Sequence, residues 1–187
     1  LGHNYVSGAC SRCGVKTHSA GLKYENNSSG GCTVVGIGTC SDKNITIPST
    51  YNGRTVTAIG NNAFKGCGNV TGISIPSTVT SIGDYAFSGT SLKTVTLPSG
   101  LKTLGKGAFR ECQSLTSVKI PDNITTLSEE MFESCTALTS VTLSSKLTKI
   151  LPKAFRACRS LKSITIPGSV TSIGNRAFAC CFSLDNI

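Results

Sequence analysis

The sequence is poor in the side chains on which most catalytic and ring-stacking sites depend. Among 187 residues there is no Trp, one Met and only 6% aromatic residues, and both histidines lie within the first 18 positions. The absence of Trp disfavours a carbohydrate platform built on exposed indole rings. No Ser, His and acid arrangement and no glycine-rich phosphate loop can be assembled. We therefore expect a protein that is not an enzyme.

Acidic residues and long apolar runs are also scarce. Nine Asp and Glu stand against 18 Lys and Arg, which gives a net charge of +9. We expect Asp122 and the cluster Glu129, Glu130 and Glu133 to be exposed corner residues. No apolar run approaches the length of a membrane span. No signal peptide is visible, but the start Leu1-Gly2-His3 is typical of a piece of a longer protein, so this says nothing about export.

One phrase of 23 residues is repeated four times between Leu92 and Ser183. Two residue types recur at every 23rd position without exception. They are the leucines Leu92, Leu115, Leu138, Leu161 and Leu184 and the phenylalanines Phe109, Phe132, Phe155 and Phe178. Self-similarity at a fixed period of this length is the signature of a solenoid. We call one turn of the solenoid a rung.

The spacing within a repeat predicts one circuit of chain. In the second copy, Val118 and Ile120 alternate with polar residues, as in a strand buried on one face. Pro121 ends that strand because it has no N–H for the next ladder bond. A second extended piece runs from residue 124 to 127, and residues 128–132 are predicted to form a helical or 3₁₀ turn that directs Phe132 inward.

A single rung cannot fold alone, so its apolar residues must be buried by neighbouring rungs. Five cysteines, Cys67, Cys112, Cys135, Cys158 and Cys181, each follow the repeated Phe by three residues. The strand spacing of roughly 4.8 Å would permit disulfides. The repeated need for one small filler in every rung instead favours a column of free buried thiols. Cys180 is expected to be exposed.

The pattern LxxIxIPxxVxxIGxxAFxxC, seen from Val70 to Phe87 and from Leu161 to Cys181, resembles the BspA-like leucine-rich-repeat family. The resemblance covers roughly residues 33–187, or about six rungs, with departures at Met131, Ser144 and Leu151-Pro152. It implies an α/β, β-dominated, right-handed solenoid with short parallel strands on a concave face. It also implies a secreted or cell-surface protein that acts as an adhesin or binding scaffold, without catalysis.

Residues 1–32 do not follow the repeat and are predicted to form a small, irregular N-terminal cap. His3, Cys10, Cys13 and His18 give the spacing H-x6-C-x2-C-x4-H. Such a set can chelate structural Zn²⁺ tetrahedrally. A disulfide between Cys10 and Cys13, or unbridged thiols in the cap, remain equal alternatives. No other cofactor is predicted.

Strand parity predicts the binding face. The outward residues form a nearly uniform array of hydroxyl groups that can hydrogen-bond a protein segment or a glycan, although Thr is also simply a good surface strand residue. The predicted residues are Ser74, Thr94, Thr96, Ser117, Lys119, Ser140, Thr142, Ser163 and Thr165.

A run of cations near the C-terminus offers a second candidate site, for an anionic partner. Its members are Lys146, Lys149, Lys153, Arg156, Arg159, Lys162 and Arg176. Aligning the rungs, however, places Arg110, Glu133 and Arg156 in one column and Glu130, Lys153 and Arg176 in another. Such columns favour cross-rung ion pairs and a mildly basic, solvated flank.

Together these features predict a binding or adhesion module that is a monomeric part of a larger protein. Its expected partners are host or matrix proteins or glycans at a cell surface. Nucleic acid is disfavoured because stacking aromatic residues are missing. The alternative is a structural spacer within a larger surface protein.

Overall fold

A computed structural model of the chain describes the backbone of residues 5–6 and 9–10 and all of residues 18–186. In chain order the strands are β1 (Tyr5–Val6), β2 (Ala9–Cys10), β3 (Lys23–Asn26), β4 (Cys32–Gly36), β5 (Asn44–Thr46), β6 (Thr50–Tyr51), β7 (Arg54–Ile59), β8 (Gly72–Ser74), β9 (Ser81–Ile82), β10 (Thr94–Val95), β11 (Thr103–Leu104), β12 (Ser117–Lys119), β13 (Thr126–Leu127), β14 (Ser140–Thr142), β15 (Lys149–Ile150) and β16 (Ser172–Ile173). The chain is a β-solenoid of about six turns, as the repeat predicts.

Two stacks of parallel strands form two sides of the solenoid. The first ladder contains the paired strands β5 and β8, followed by the paired strands β10, β12 and β14, whose register pairs Ser117 with Ser140 one period later. The second ladder contains β4, β7, β9 and β11, followed by β13, β15 and β16, whose register pairs Thr126 with Lys149. The predicted short parallel strands are therefore confirmed.

The third side is built of turns, and the predicted helical or 3₁₀ turn is not found there. Among residues 18–186 no helix is present. In every rung the residues two before and two after the repeated Phe have positive φ, for example Glu130 (58°) and Ser134 (61°) around Phe132. A positive φ at the third residue is the mark of a type II turn and is incompatible with a right-handed helix.

The turns hydrogen-bond from rung to rung much as the strands do. The N–H of Phe109 donates to the carbonyl of Met131 (3.1 Å), and that of Phe132 to the carbonyl of Ala154 (2.7 Å). Alternating φ signs direct every second N–H towards the next rung. The solenoid thus has backbone hydrogen bonds on three sides, and no helix is needed to close the circuit.

The phenylalanines form a continuous stack inside the solenoid, as predicted. Ring centroids from Phe64 to Phe178 are separated by 5.4, 5.4, 5.7, 5.5 and 5.3 Å, with interplanar angles of 15° or less. The rings from Phe64 to Phe155 are fully buried. This spacing is slightly wider than that of paired strands. It still leaves neighbouring rings in contact along the whole core.

The thiols form a second column beside the rings. Cys112 Sγ donates to the carbonyl of Phe87 (3.1 Å), and Cys135, Cys158 and Cys181 repeat this contact one rung later each (3.0, 3.1 and 3.1 Å). All described cysteine side chains are free thiols, and Cys180 is exposed. The predicted column of free thiols is confirmed, and four of its five members, all except Cys67, also hydrogen-bond to the preceding rung.

The N-terminal edges of both ladders are covered. Strand β3 pairs antiparallel with β4 and closes the second ladder. Ser19 closes the first: its N–H donates to the carbonyl of Thr46 (2.8 Å), and its hydroxyl accepts from the Thr46 N–H (3.0 Å). The predicted boundary after residue 32 falls at the start of β4, so residues before it contribute a strand to the solenoid sheet.

Candidate binding face on the first ladder

Seven of the nine residues predicted to bind a ligand lie on the outward side of the first ladder, and the other two, Ser163 and Thr165, lie in the next rung, outside its strands. Each of the nine is exposed, whereas the intervening Val95, Val118 and Val141 are buried. The register aligns Thr94, Ser117 and Ser140 in one row and Lys119 with Thr142 in the next. Strand alternation alone therefore gathers these side chains on one continuous face.

Two adjoining hollows give this face a shape. A shallow one of about 290 Å³ lies over β10, β12 and β14 and contains Thr94, Thr96, Ser117, Lys119, Ser140 and Thr142. A deeper one of about 460 Å³ lies at the strand ends and is lined by Val95, Thr96, Leu97, Ser99, Lys119, Pro121 and Asp122. Because both hollows share Val95, Thr96 and Lys119, they form one groove, which we call the first-ladder groove.

Four residues that line this groove were not predicted from the sequence. Leu97, Ser99, Pro121 and Asp122 belong to the strand ends and corners, which parity assigns to packing or turns. The proline that follows most strands of this ladder, such as Pro98 and Pro121, was the available signal, because a ladder that stops at a residue without an N–H leaves room beside it. Asp122 is held in place by Ser145, whose N–H and hydroxyl both donate to its Oδ1 (3.2 and 3.3 Å).

The hydroxyl groups of this face are unoccupied by the protein itself. None of the eight Ser and Thr side chains in the predicted set makes a hydrogen bond within the described part of the chain. The threonines that directly precede the strands donate to the preceding rung in both ladders, for example Thr139 to the carbonyl of Thr116 (3.0 Å) and Thr148 to that of Thr125 (2.9 Å). The first ladder thus keeps donors and acceptors that an incoming ligand can use.

Lys119 supplies the only charge among the nine predicted residues. It forms no ion pair within residues 18–186. Lys106, Lys153 and Arg156 on the turn side are instead all paired with carboxylates. The groove therefore offers one ammonium group that takes part in no ion pair, beside the aliphatic wall of Leu97 and Pro121, with the carboxylate of Asp122 in the same lining.

The predicted cluster of seven cations is spread over several sides of the solenoid. Lys149 lies on the second ladder, whereas Lys153 and Arg156 lie on the turn side. Lys146, Lys149, Arg159, Lys162 and Arg176 are exposed. The structure therefore does not bring the seven side chains together on one ladder.

The predicted cross-rung ion pairs are present on the turn side. Glu133 lies between Arg110 (3.3 Å) and Arg156, and Glu130 meets Lys153 (3.6 Å). The side chain of Glu133 is only 5% exposed, so the expectation that it is an exposed corner residue was wrong. The two arginines cover it, which is what makes its burial tolerable. Arg176 completes no such pair within residues 18–186.

Glu130 is the centre of a second polar cluster. The Tyr85 hydroxyl donates to its Oε2 (3.1 Å), and Lys106 lies 3.5 Å from Oε1. Burial by itself would raise the pKa of Glu130, but this hydrogen bond and the charges of Lys106 and Lys153 outweigh it and lower the pKa. The Tyr85 ring reaches Glu130 by lying over Gly107, where a Cβ would come within 2.4 Å of the ring.

The predicted zinc site lies mostly outside the described residues. His3 and Cys13 are among the residues not described, and of Cys10 only the backbone, in β2, is described. His18 lines a hollow of about 310 Å³ with Ser19, Asp42, Lys43, Asn44 and Thr46. Within residues 18–186 no group of three or more His, Cys, Asp and Glu is placed to hold a metal. A structural Zn²⁺ at the N-terminus stays a prediction.

Stacked rungs, a phenylalanine core and parallel strand ladders define the class as a leucine-rich-repeat solenoid. Residues 57–185 match the BspA type leucine rich repeat region in six copies. The chain therefore belongs to the BspA-type leucine-rich-repeat family. Within the described residues there is no helix long and apolar enough to cross a membrane.

Solved structures of bacterial proteins share this fold. A leucine rich cell surface protein from Faecalibacterium prausnitzii is 33% identical with a TM-score of 0.68, and the match covers 88% of this chain and 52% of that one. A leucine-rich repeat protein from Bacteroides ovatus is 30% identical with a TM-score of 0.63, over 88% and 51% of the two chains. The chain thus spans about half the length of these two proteins.

The leucine rich repeat protein of T. pallidum is similar over nearly its full length. It is 25% identical with a TM-score of 0.69, and the match covers 88% of each chain. No curated protein sequence matches the chain significantly.

Proposed function

We propose that this chain is a non-catalytic recognition module of a cell-surface or secreted protein, and that it binds a host or matrix protein through the first-ladder groove. The observation that carries the proposal is the set of exposed Ser and Thr hydroxyls without protein partners, lined up across three rungs beside Lys119. The similarity to the leucine rich cell surface protein from Faecalibacterium prausnitzii supports the location.

A protein segment fits the groove better than a glycan does. Its walls are aliphatic, from Val95, Leu97 and Pro121, and contain no aromatic ring on which a sugar could stack. Free hydroxyls can hydrogen-bond the backbone of an extended segment, while the deeper hollow accepts an aliphatic side chain. The ammonium group of Lys119 favours an acidic residue in the same segment.

The experiment is a binding screen of the purified chain against extracellular matrix proteins and surface extracts, followed by two variants of the groove. Lys119→Glu reverses the one positive charge of its lining, and Ser117→Arg places bulk in the middle of the face without touching the core. We expect both variants to weaken binding about tenfold or more, since they act on the centre of the contact.

Matched controls lie on the second ladder. Lys149→Glu makes the same charge change at an exposed strand residue flanked in register by Thr126 and Ser172. Thr103→Arg adds the same bulk at an exposed position of β11. Binding that falls equally in the control variants, or that persists in Lys119→Glu and Ser117→Arg, would exclude the first-ladder groove as the site.

A spacer is the second candidate, favoured by the unbroken stack of rings and hydrogen bonds from rung to rung. Such a stack resists bending because each rung is held on three sides. In that case the screen would find no partner, and the chain would serve only to hold other parts of a longer surface protein at a distance.

A further inference from the structure

The first rung contains a hairpin that the later rungs lack. Between Pro48 and Val56 the chain has five more residues than the matching segment of the next repeat. These residues form β6 and the start of β7, which pair antiparallel through Thr50 with Thr55 and Tyr51 with Arg54. Asn52 and Gly53 between them both have positive φ (48° and 74°), as a tight two-residue hairpin turn requires. The hairpin is therefore conformationally defined.

This hairpin fixes an aromatic ring at the surface. The Tyr51 ring stacks on Tyr24 with a centroid separation of 3.9 Å and an interplanar angle of 13°. Tyr24 is packed against the core, and its hydroxyl is buried without a partner in the described part of the chain. Tyr51 in turn is 38% exposed. Tyr24 thus acts as the support, and Tyr51 presents the ring to solvent.

A hollow of about 370 Å³ lies beside this pair of rings. Its lining comes from the hairpin, from β3 and from the start of β4: Tyr24, Glu25, Asn26, Cys32, Tyr51, Asn52 and Arg54. The side chains of Glu25, Asn26 and Asn52 make no hydrogen bond within the described residues. Arg54 donates one N–H to the Gly30 carbonyl (3.1 Å) and keeps further donors.

This combination matches the chemistry of a sugar. One face of a pyranose ring carries mainly C–H groups and packs on an aromatic ring, while its edge carries hydroxyls that both donate and accept. A carboxylate, two amides and a guanidinium around the hollow provide both kinds of partner. The volume is near the lower end of ordinary ligand sites, which suits one or two sugar rings.

We propose that this hollow is a saccharide-binding subsite in which Tyr51 packs against the C–H face of a sugar ring. The four polar side chains around it, Glu25, Asn26, Asn52 and Arg54, hydrogen-bond the hydroxyls. The subsite is separate from the first-ladder groove and does not depend on the function proposed for it. The extra five residues of the first rung then exist to build this site.

The test is a titration of the full chain with cellotriose, mannotriose and triacetylchitotriose, followed by amide NMR shifts of Asn52 and Gly53. We expect at least one trisaccharide to shift these signals saturably. Tyr51→Ala should weaken that binding about five- to tenfold, the range expected for a lost ring contact. Tyr51→Phe, which keeps the ring, should bind within about twofold of the natural chain. Glu25→Gln should weaken binding by a smaller factor.

The control is Thr103→Arg, at an exposed position of β11 outside both this hollow and the first-ladder groove, and it is expected to leave the titration unchanged. Thermal unfolding of every variant checks that Tyr51→Ala is folded, and Tyr51→Phe gives a reading that does not depend on loss of the ring. The proposal is overturned if no trisaccharide shifts Asn52 and Gly53, if Tyr51→Ala binds as tightly as the natural chain, or if Thr103→Arg abolishes the binding.

Discussion

The interior rungs and the last rung carry the same sequence phrase but bury it to different extents. Ile150 and Ile173 are partners in register on β15 and β16, yet Ile150 is 1% exposed and Ile173 is 51% exposed. Phe155 is fully buried, whereas Phe178 is only partly so. The difference shows that the repeat sequence alone does not bury its apolar side chains, because each rung is covered by the rung that follows it.

The two ends of the described solenoid differ in how far the backbone N–H and C=O groups of their outer rungs are hydrogen-bonded. At the N-terminal end β3 and Ser19 pair with the outer edges of both ladders. At the other end, the N–H groups of Arg176, Phe178 and Cys180 have no backbone acceptor within the described residues. One rung earlier, the equivalent N–H groups of Lys153, Phe155 and Ala157 donate to Asn175, Ala177 and Ala179. Within residues 18–186 the last rung is therefore held by fewer cross-rung hydrogen bonds than the rung before it.

The largest expected effect comes from opening the ring stack. Phe132→Ala should lower the free energy of unfolding by about 3–5 kcal/mol, because the cavity has rings on both sides. Phe178→Ala, with a ring on one side only, should cost about half as much. Urea unfolding of both variants measures the difference. Equal losses at the two positions would contradict the comparison.

The next largest effect concerns the buried carboxylate. Glu133→Gln should destabilise the chain by about 1–2 kcal/mol, since two charge-assisted hydrogen bonds to arginines are weakened while those arginines stay partly in water. Arg176→Gln, at the last rung, should change stability by less than about 0.5 kcal/mol. A salt titration adds a second reading: the gap between the variants should narrow as screening increases.

The thiol column should make the chain sensitive to alkali. Burial raises the pKa of Cys112 from its usual 9.0 to about 11 and that of Cys135 well above 9.0. The folded state thus keeps protons that the unfolded chain releases. The stability from these protonated thiols is fully present below pH 9 and is lost as the pH rises towards and through the raised pKa values.

Cys135→Ser removes one such thiol while keeping a donor for the Phe109 carbonyl. We expect it to reduce the alkaline loss of stability by on the order of 1 kcal/mol per pH unit above pH 9. In the folded chain at pH 8, a thiol reagent should modify exposed Cys180 and leave Cys135 unmodified until denaturant is added. Rapid modification of Cys135 without denaturant would show that the column is open.

Periodicity was sufficient to predict the solenoid, the phenylalanine and thiol columns and the face of the first ladder. Each of these follows from a spacing, either two residues along a strand or one period along the chain. The same spacing predicted the pairing of Glu133 with its arginines but not its burial, which depends on how two long side chains fold over a carboxylate.

The turn side was harder to predict because its residues adopt backbone conformations that their residue types rarely adopt. Residues such as Tyr85, Glu130 and Lys153 adopt positive φ (53°, 58° and 58°), which side chains other than Gly and Asn rarely do. Hydrogen bonds to the next rung impose this conformation, so the residue types at these positions do not predict it. The hollow beside Tyr51 was not predicted for a related reason. It is lined by residues of β3 and of the hairpin insertion, and neither of these belongs to the repeat.

The smallest expected effect lies at the exposed end. Phe182 is 76% exposed, so Phe182→Ser removes an aromatic ring that the described residues barely cover. We expect the free energy of unfolding to change by less than about 0.5 kcal/mol, against several kcal/mol for the interior phenylalanines. Urea unfolding of Phe182→Ser beside Phe132→Ala makes the measurement. A loss above about 1 kcal/mol would mean that Phe182 is covered in solution, because an exposed ring has little contact to lose.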